Sequence, residues 1–200
     1  VVFLGAHLLS GRVIDLRGAP GSGPAILYGR SADQEASRVA AALGRAIGIQ
    51  VETSLAEGAM APDTWRLAET WSLRPLVLLG SATDNVAVFA LHSRYLAGAN
   101  AAFPGPGRYV LRTLCSPFRR GVDMVLIGAS DSSGLAAGAA RFEALITASG
   151  GHLAPLVEVG DANGAVPLKG SGSTDFAYAA GRYYWTGDLK TGEHAREALL

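Results

Sequence analysis

The sequence predicts an α/β fold: a mixed, mainly parallel sheet with helices packed on it, followed by a C-terminal helical hairpin. Three observations carry this prediction. The order strand, glycine, cap residue, helix recurs as Ile26-Leu27-Tyr28-Gly29-Arg30-Ser31-Ala32-Asp33, as Val77-Leu78-Leu79-Gly80-Ser81-Ala82-Thr83-Asp84, and as Val125-Leu126-Ile127-Gly128-Ala129-Ser130-Asp131. Leu76–Leu79 is a continuous apolar run, the mark of a strand covered on both faces. The strand-like runs Tyr109–Leu114 and Asp123–Ala129 are joined only by the eight-residue link Cys115–Val122. A parallel crossover needs a dozen or more residues, so these two strands run antiparallel and the sheet is mixed.

Before the first of these motifs, Val13–Leu16 alternates as an edge strand and residues 18–23 form a Gly/Pro/Ser turn. The Gly21-Ser22-Gly23 triplet in that turn precedes a strand, whereas phosphate-cradling loops follow a strand and open a helix. A capping box of Ser31 and Gln34 starts the first helix. Its inward face is Ala36, Val39, Ala40, Leu43 and Ile47, and Gly48 ends it. Gln50–Leu55 alternates as a second strand.

Asp63–Leu73 has the spacing of a short helix. Trp65 and Trp71 offer a stacking platform for carbohydrate, but six residues put them about 120° apart on a helix, so core packing of at least one is favoured. A helix over residues 83–97 with Val86, Phe89, Ala90 and Leu96 inward follows the Leu76–Leu79 strand. The run Pro104-Gly105-Pro106-Gly107 breaks the chain before Tyr109. A third helix starts at Asp131 and runs to Ile146, and His152–Val159 is a last strand.

Composition narrows the function classes. Two hundred residues suit one domain and a piece of another. Seventeen basic and seventeen acidic residues leave no net charge, so no basic face for nucleic acid is implied. No apolar run approaches the roughly 18 residues that a membrane span requires. Cys115 is the only cysteine, which excludes an internal disulfide and a multi-thiolate metal site and favours a structural role. Val1 rather than methionine opens the chain, which reads as a processed or excised segment with any signal peptide upstream.

Catalytic signatures do not emerge. His7, His92, His152 and His194 are scattered without metal-ligand spacing, there is no Gly-x-Ser-x-Gly elbow, and no pair of carboxylates is nominated for glycoside chemistry. Asp84, Asp123 and Asp131 fall at element ends where α/β proteins carry function, but Asp84 and Asp131 are equally served by a helix-start role. Arg119 and Arg120 could grip an acidic ligand, although adjacent arginines in a hairpin link are more often solvated. No catalytic residue, metal or cofactor is assigned.

From Asp161 to Thr174 the composition shifts to Gly, Ser, Ala and Asn, a linker signature. The expected organisation is therefore a domain over residues 1–160, a linker over 161–174, and the start of a helical domain over 175–200. That tail concentrates Phe176, Tyr178, Tyr183, Tyr184 and Trp185, which a lone helix pair cannot bury. Packing against following helices is favoured for them. Tyr184 and Trp185 are the candidates for stacking on sugar.

Ala25-Ile26-Leu27-Tyr28-Gly29, Ser31 to Ala36, Leu78-Leu79-Gly80, Gly107-Arg108-Tyr109-Val110-Leu111-Arg112 and Val125 to Asp131 with Gly134 resemble the small α/β domain that precedes the catalytic domain in β-N-acetylhexosaminidases and α-glucuronidases. The resemblance covers residues 24–149. The tail departs from it: Tyr183 to Asp188 and Ala195 to Leu200 are similar to the first helices of α/α-toroid domains of polysaccharide lyases and glycosidases. Together these resemblances imply a non-catalytic accessory domain of a larger polysaccharide-processing enzyme, in a secreted or periplasmic setting. Its partner would be the following domain of the same polypeptide, and polysaccharide would be met through the parent enzyme. The alternative is a flavodoxin-like module binding a small ligand or anion at the helix starts.

Overall fold

The computed structural model describes residues 13–18, 23–62, 64–94, 96 and 98–165. Tyr184, Trp185 and the rest of the predicted helical tail lie outside the described residues, as do His7 and His194.

Chain order gives β1 (Ile14–Asp15), β2 (Ala25–Tyr28), α1 (Asp33–Ile47), β3 (Glu52–Leu55), α2 (Ala56–Ala59), α3 (Glu69–Ser72), β4 (Leu76–Leu79), α4 (Val86–His92), β5 (Tyr109–Leu114), β6 (Met124–Ala129), α5 (Ser132–Ser149), β7 (His152–Leu153), β8 (Val157–Asp161) and β9 (Gly164–Ala165). Seven strands form one sheet in the order β3-β2-β4-β6-β5-β8-β9. The four strands β3, β2, β4 and β6 run parallel, while β5 is antiparallel to both β6 and β8. The sheet is thus mixed and mainly parallel in its core, and the short β5–β6 link has the antiparallel consequence its length requires.

Strand alternation divides the interior into two layers. Val77, Leu79, Val125 and Ile127 face a core completed by Ala36, Val39 and Leu43 of α1 and by Leu135, Ala139, Phe142 and Ile146 of α5. Leu76, Leu78, Met124 and Leu126 point the other way, against Ala56 and Ala59 of α2 and Ala87, Val88 and Leu91 of α4. Every residue of β4 has zero exposure, as a strand covered on both faces must. At about 1.5–3 kcal/mol per fully buried large aliphatic side chain, these two layers supply the main driving force for the fold.

Several elements differ from the sequence-based expectation. Helix α4 spans only Val86–His92, and Ala87, Val88, Ala90 and Leu91 are its buried residues, while Phe89 is 39 % exposed. The polar side chain of Asn85 fixes the start of α4 and rotates the expected face by about one residue. In the Asp63–Leu73 stretch the described helix is confined to Glu69–Ser72, and ahead of it Leu67 and Arg66 are held by the antiparallel Met60–Leu67 bridge and the Ala61–Arg66 backbone bond. Trp71 packs partly buried against the α2–α4 layer, and Trp65 is exposed. The expected edge strand narrows to β1, which pairs with β7 in a separate two-stranded sheet. The last expected strand divides into β7 and β8, and the β8–β9 hairpin carries the main sheet to Ala165, into the stretch with linker composition.

Candidate functional site

In open α/β sheets ligands bind at the carboxyl ends of the strands, where successive helices leave for opposite faces. Here that point lies between β2 and β4. After β2 the chain enters α1 in one layer, and after β4 it enters α4 in the other. The residues at the crevice are Gly29 and Ser31 on the β2 side and Gly80, Ser81, Asp84 and Asn85 on the β4 side.

The crevice is filled by the chain's own polar groups. The Ser31 hydroxyl donates to Asp84 Oδ2 at 2.5 Å, and the Ser81 amide and hydroxyl donate to Asp84 Oδ1 at 2.8 and 3.2 Å. Ser81 and Thr83 hydroxyls lie 2.6 Å apart and extend this network toward the rim. The glycines make room for the carboxylate. A Cβ at Gly29 would stand 2.5 Å from Asp84 Oδ2, and one at Gly80, where φ is +116°, would stand 2.8 Å from Oδ1.

Beneath Asp84, Asn85 ties the two strands together. Its amide nitrogen donates to Leu27 O at 3.1 Å and Leu79 O at 2.8 Å, and its oxygen accepts from the Ala87 and Val88 amides at 2.9 and 3.1 Å. At 1 % exposure this one side chain caps α4 and adds a donor to two strand-end carbonyls, of which Leu79 O also accepts from the Gly29 amide.

These contacts correct two expectations. Ser31 does not cap α1: the residue before α1 is Ala32, with no side-chain cap bond, and the Ser31 hydroxyl is spent on Asp84. Asp84 does not start α4, because Asn85 does, and its carboxylate turns into the crevice instead. Asp131 behaves as expected. It caps α5 by accepting from Gly134 N at 2.8 Å, and it accepts from Gly107 N at 2.7 Å; with Ser133 these donors hold its carboxyl below the usual range. Asp123 accepts from the Ser116 amide inside the β5–β6 link, and Cys115 is half-buried against the core.

A second polar cluster joins β5, β8 and α5. The buried Tyr109 hydroxyl donates to Glu158 Oε1 at 2.7 Å, and Arg141 of α5 grips both Glu158 oxygens at 2.9 Å. The Arg141 bonds lower the Glu158 pKa, and burial raises that of Tyr109. All three groups face one another, so the cluster is a structural latch.

The flank of α4 carries a different surface. A hollow of about 390 Å³ is lined by Arg66, Leu67, Ser72, Arg94, Phe118 and Arg119. Its arginines come from three separate segments: the turn before α3, the end of α4 and the β5–β6 link. Arg94 donates to Trp65 O at 2.8 Å and lies 5.5 Å from the centre of the Phe118 ring. The same Trp65, whose carbonyl accepts from Arg94, pairs its ring with that of Phe89 at 5.0 Å, the two residues being 55 % and 39 % exposed. Arg120 remains on the surface, whereas Arg119 joins this group.

Sequence reasoning singled out Arg119 and Trp65 but neither Arg66 nor Arg94, because nothing local links residues so far apart in the chain. Asn85 was legible in principle, since Asp84-Asn85 places two cap-type residues in succession and only one can cap. Among the described residues no group of three His, Cys, Asp or Glu side chains could hold a metal ion, and no helix is long and apolar enough to cross a membrane. Compared with known proteins, the chain matches no protein-family model and no curated protein sequence.

Proposed function

We propose that the chain is a non-catalytic accessory domain of a larger polysaccharide-processing enzyme, either a glycoside hydrolase or a polysaccharide lyase. The observation that carries the non-catalytic half is the filled crevice. Asp84 and Asn85 take up the position at which sheets of this class hold their ligands. An incoming phosphate or carboxylate would meet the Asp84 carboxylate, so the helix starts are poorly suited to the anion binding of a flavodoxin-like module.

The carbohydrate half is supported by the resemblance of residues 24–149 to the α/β domain preceding hexosaminidase and glucuronidase catalytic domains. A mixed sheet with helices on both faces agrees with that resemblance. The exposed Trp65–Phe89 pair gives the domain an aromatic face toward a neighbouring domain or a glycan.

The test is turnover by the 200-residue chain on neutral and acidic polysaccharides. No product above the buffer rate is expected. A rate abolished by a single substitution, such as Asp84→Asn or Glu158→Gln, would show the domain to be an enzyme in its own right.

A further inference from the structure

The geometry points to the hollow beside α4 as a binding site for an anionic saccharide, whose carboxylate or sulfate is held by Arg66, Arg94 and Arg119. The saccharide part of this inference rests on the accessory-domain reading above; the anion part stands on the arginines alone.

Arg66, Arg94 and Arg119 all line a space of about 390 Å³, which lies within the range of small-ligand sites. Of these three arginines, only Arg119 has an ion pair with a described carboxylate, Glu69 at 3.9 Å, and the Glu69 side chain is 81 % exposed. Among the described residues the hollow thus carries an excess of positive charge, in a chain with no net charge. An excess of this kind is repulsive unless an anion enters, and planar guanidinium groups match carboxylate and sulfate oxygens in a bidentate manner.

Arg94 is pre-positioned for this role. Its bond to the Trp65 carbonyl and its seat over the Phe118 ring fix the guanidinium before any ligand arrives, which lowers the ordering cost of binding. The same Trp65 presents its ring to solvent next to Phe89. An acidic group bound by the arginines thus places its attached sugar ring beside an exposed aromatic face. A neutral glycan would use the face but not the arginines, and an acidic peptide would use the arginines but not the face.

The site is tested by nuclear magnetic resonance titration of the 200-residue chain at about 0.1 M salt, a concentration that screens diffuse attraction. Trigalacturonate and a sulfated heparin tetrasaccharide supply carboxylate and sulfate, with cellotriose and hexaglutamate as the neutral and peptidic comparisons. At least one acidic saccharide is expected to shift the amides of Arg66, Arg94 and Arg119 saturably, and the tighter of the two names the anionic group. Combining Arg66→Gln with Arg119→Gln, both on exposed side chains, should weaken it about tenfold or more. Trp65→Ala should weaken the saccharide but not inorganic sulfate.

The site is refuted if neither acidic saccharide moves these amides, if the double variant binds as well as the native chain, or if cellotriose binds equally. Hexaglutamate binding as tightly as the saccharides would also refute it and assign the hollow to an acidic peptide. A chain that binds here yet turns over polysaccharide alone refutes the accessory role and keeps the site. A silent chain that binds nothing refutes the site and keeps the role.

Discussion

Ser31 and Asp84, on loops that follow different strands, meet through a 2.5 Å hydrogen bond that closes the crevice between β2 and β4. Each loop reaches the other because Gly29 and Gly80 leave the space of two side chains to one carboxylate. The consequence is an α/β sheet whose usual ligand position belongs to the fold.

Adding a methyl group at Gly29 should therefore be felt through Asp84. Gly29→Ala places its Cβ 2.5–2.8 Å from the Asp84 carboxyl atoms and is expected to cost about 1–3 kcal/mol, read as a lower urea midpoint. In an Asp84→Ala background those atoms are gone, so the same change should cost much less. Equal costs in the two backgrounds would show that the carboxylate does not occupy the crevice.

Asn85→Ala should be among the most damaging polar substitutions in the chain. It removes the cap of α4 and the donors to Leu27 O and Leu79 O, for an expected loss of about 2–4 kcal/mol. Asn85→Asp keeps the cap acceptor but loses the amide donor and sets a charge against two carbonyls. It should recover little of that loss, and near-complete recovery would mean that capping alone matters.

The Tyr109–Glu158–Arg141 latch predicts a definite acid dependence. Glu158 has its pKa lowered in the folded protein, first by the Arg141 bonds and then by the Tyr109 hydroxyl, against the opposing effect of burial. Its contribution is present above its ordinary value near 4.5 and is lost as pH falls through the lowered folded value. Asp131 and Asp15 are shifted the same way and add to acid sensitivity, so the useful quantity is the difference between native chain and Glu158→Gln. That difference should shrink as pH falls below the ordinary value of 4.5 and through the lowered folded value. On the alkaline side Tyr109 is raised above its ordinary value of 10.0, so its contribution holds below that pH and is lost as the phenol ionises at higher pH. A pH-independent difference on the acid side would contradict the latch.

Much of the sheet was legible because short-range rules decide it. The apolar run of Leu76–Leu79, the glycine at position 48 in a left-handed conformation ending α1, and the short link after Leu114 each imply their structure with little help from tertiary contacts. Where tertiary contacts compete with local ones, the sequence misleads. Ser31 has the spacing of a capping box, but an acceptor 53 residues away takes its hydroxyl. Phe89 has the period of an inward residue, but Asn85 sets the phase of α4 and turns Phe89 toward Trp65. Gly134 enters the sequence reading only through the resemblance, yet a Cβ there would strike the Arg108 carbonyl, so it fixes how closely α5 approaches the chain entering β5. The arginine hollow had no sequence signal at all, since Arg66, Arg94 and Arg119 share no periodicity and come together only through folding.

The closed crevice is tested most directly by titrating the isotope-labelled 200-residue chain with inorganic phosphate and with flavin mononucleotide while following the amides of Gly29, Ser31, Gly80, Ser81 and Asp84. Because the Asp84 carboxylate already accepts the Ser31 and Ser81 donors, no saturable shift is expected at these amides for either ligand. Saturable shifts centred on Gly29, Ser31 and Ser81 would contradict it, and would make the switch point of this sheet a ligand site after all.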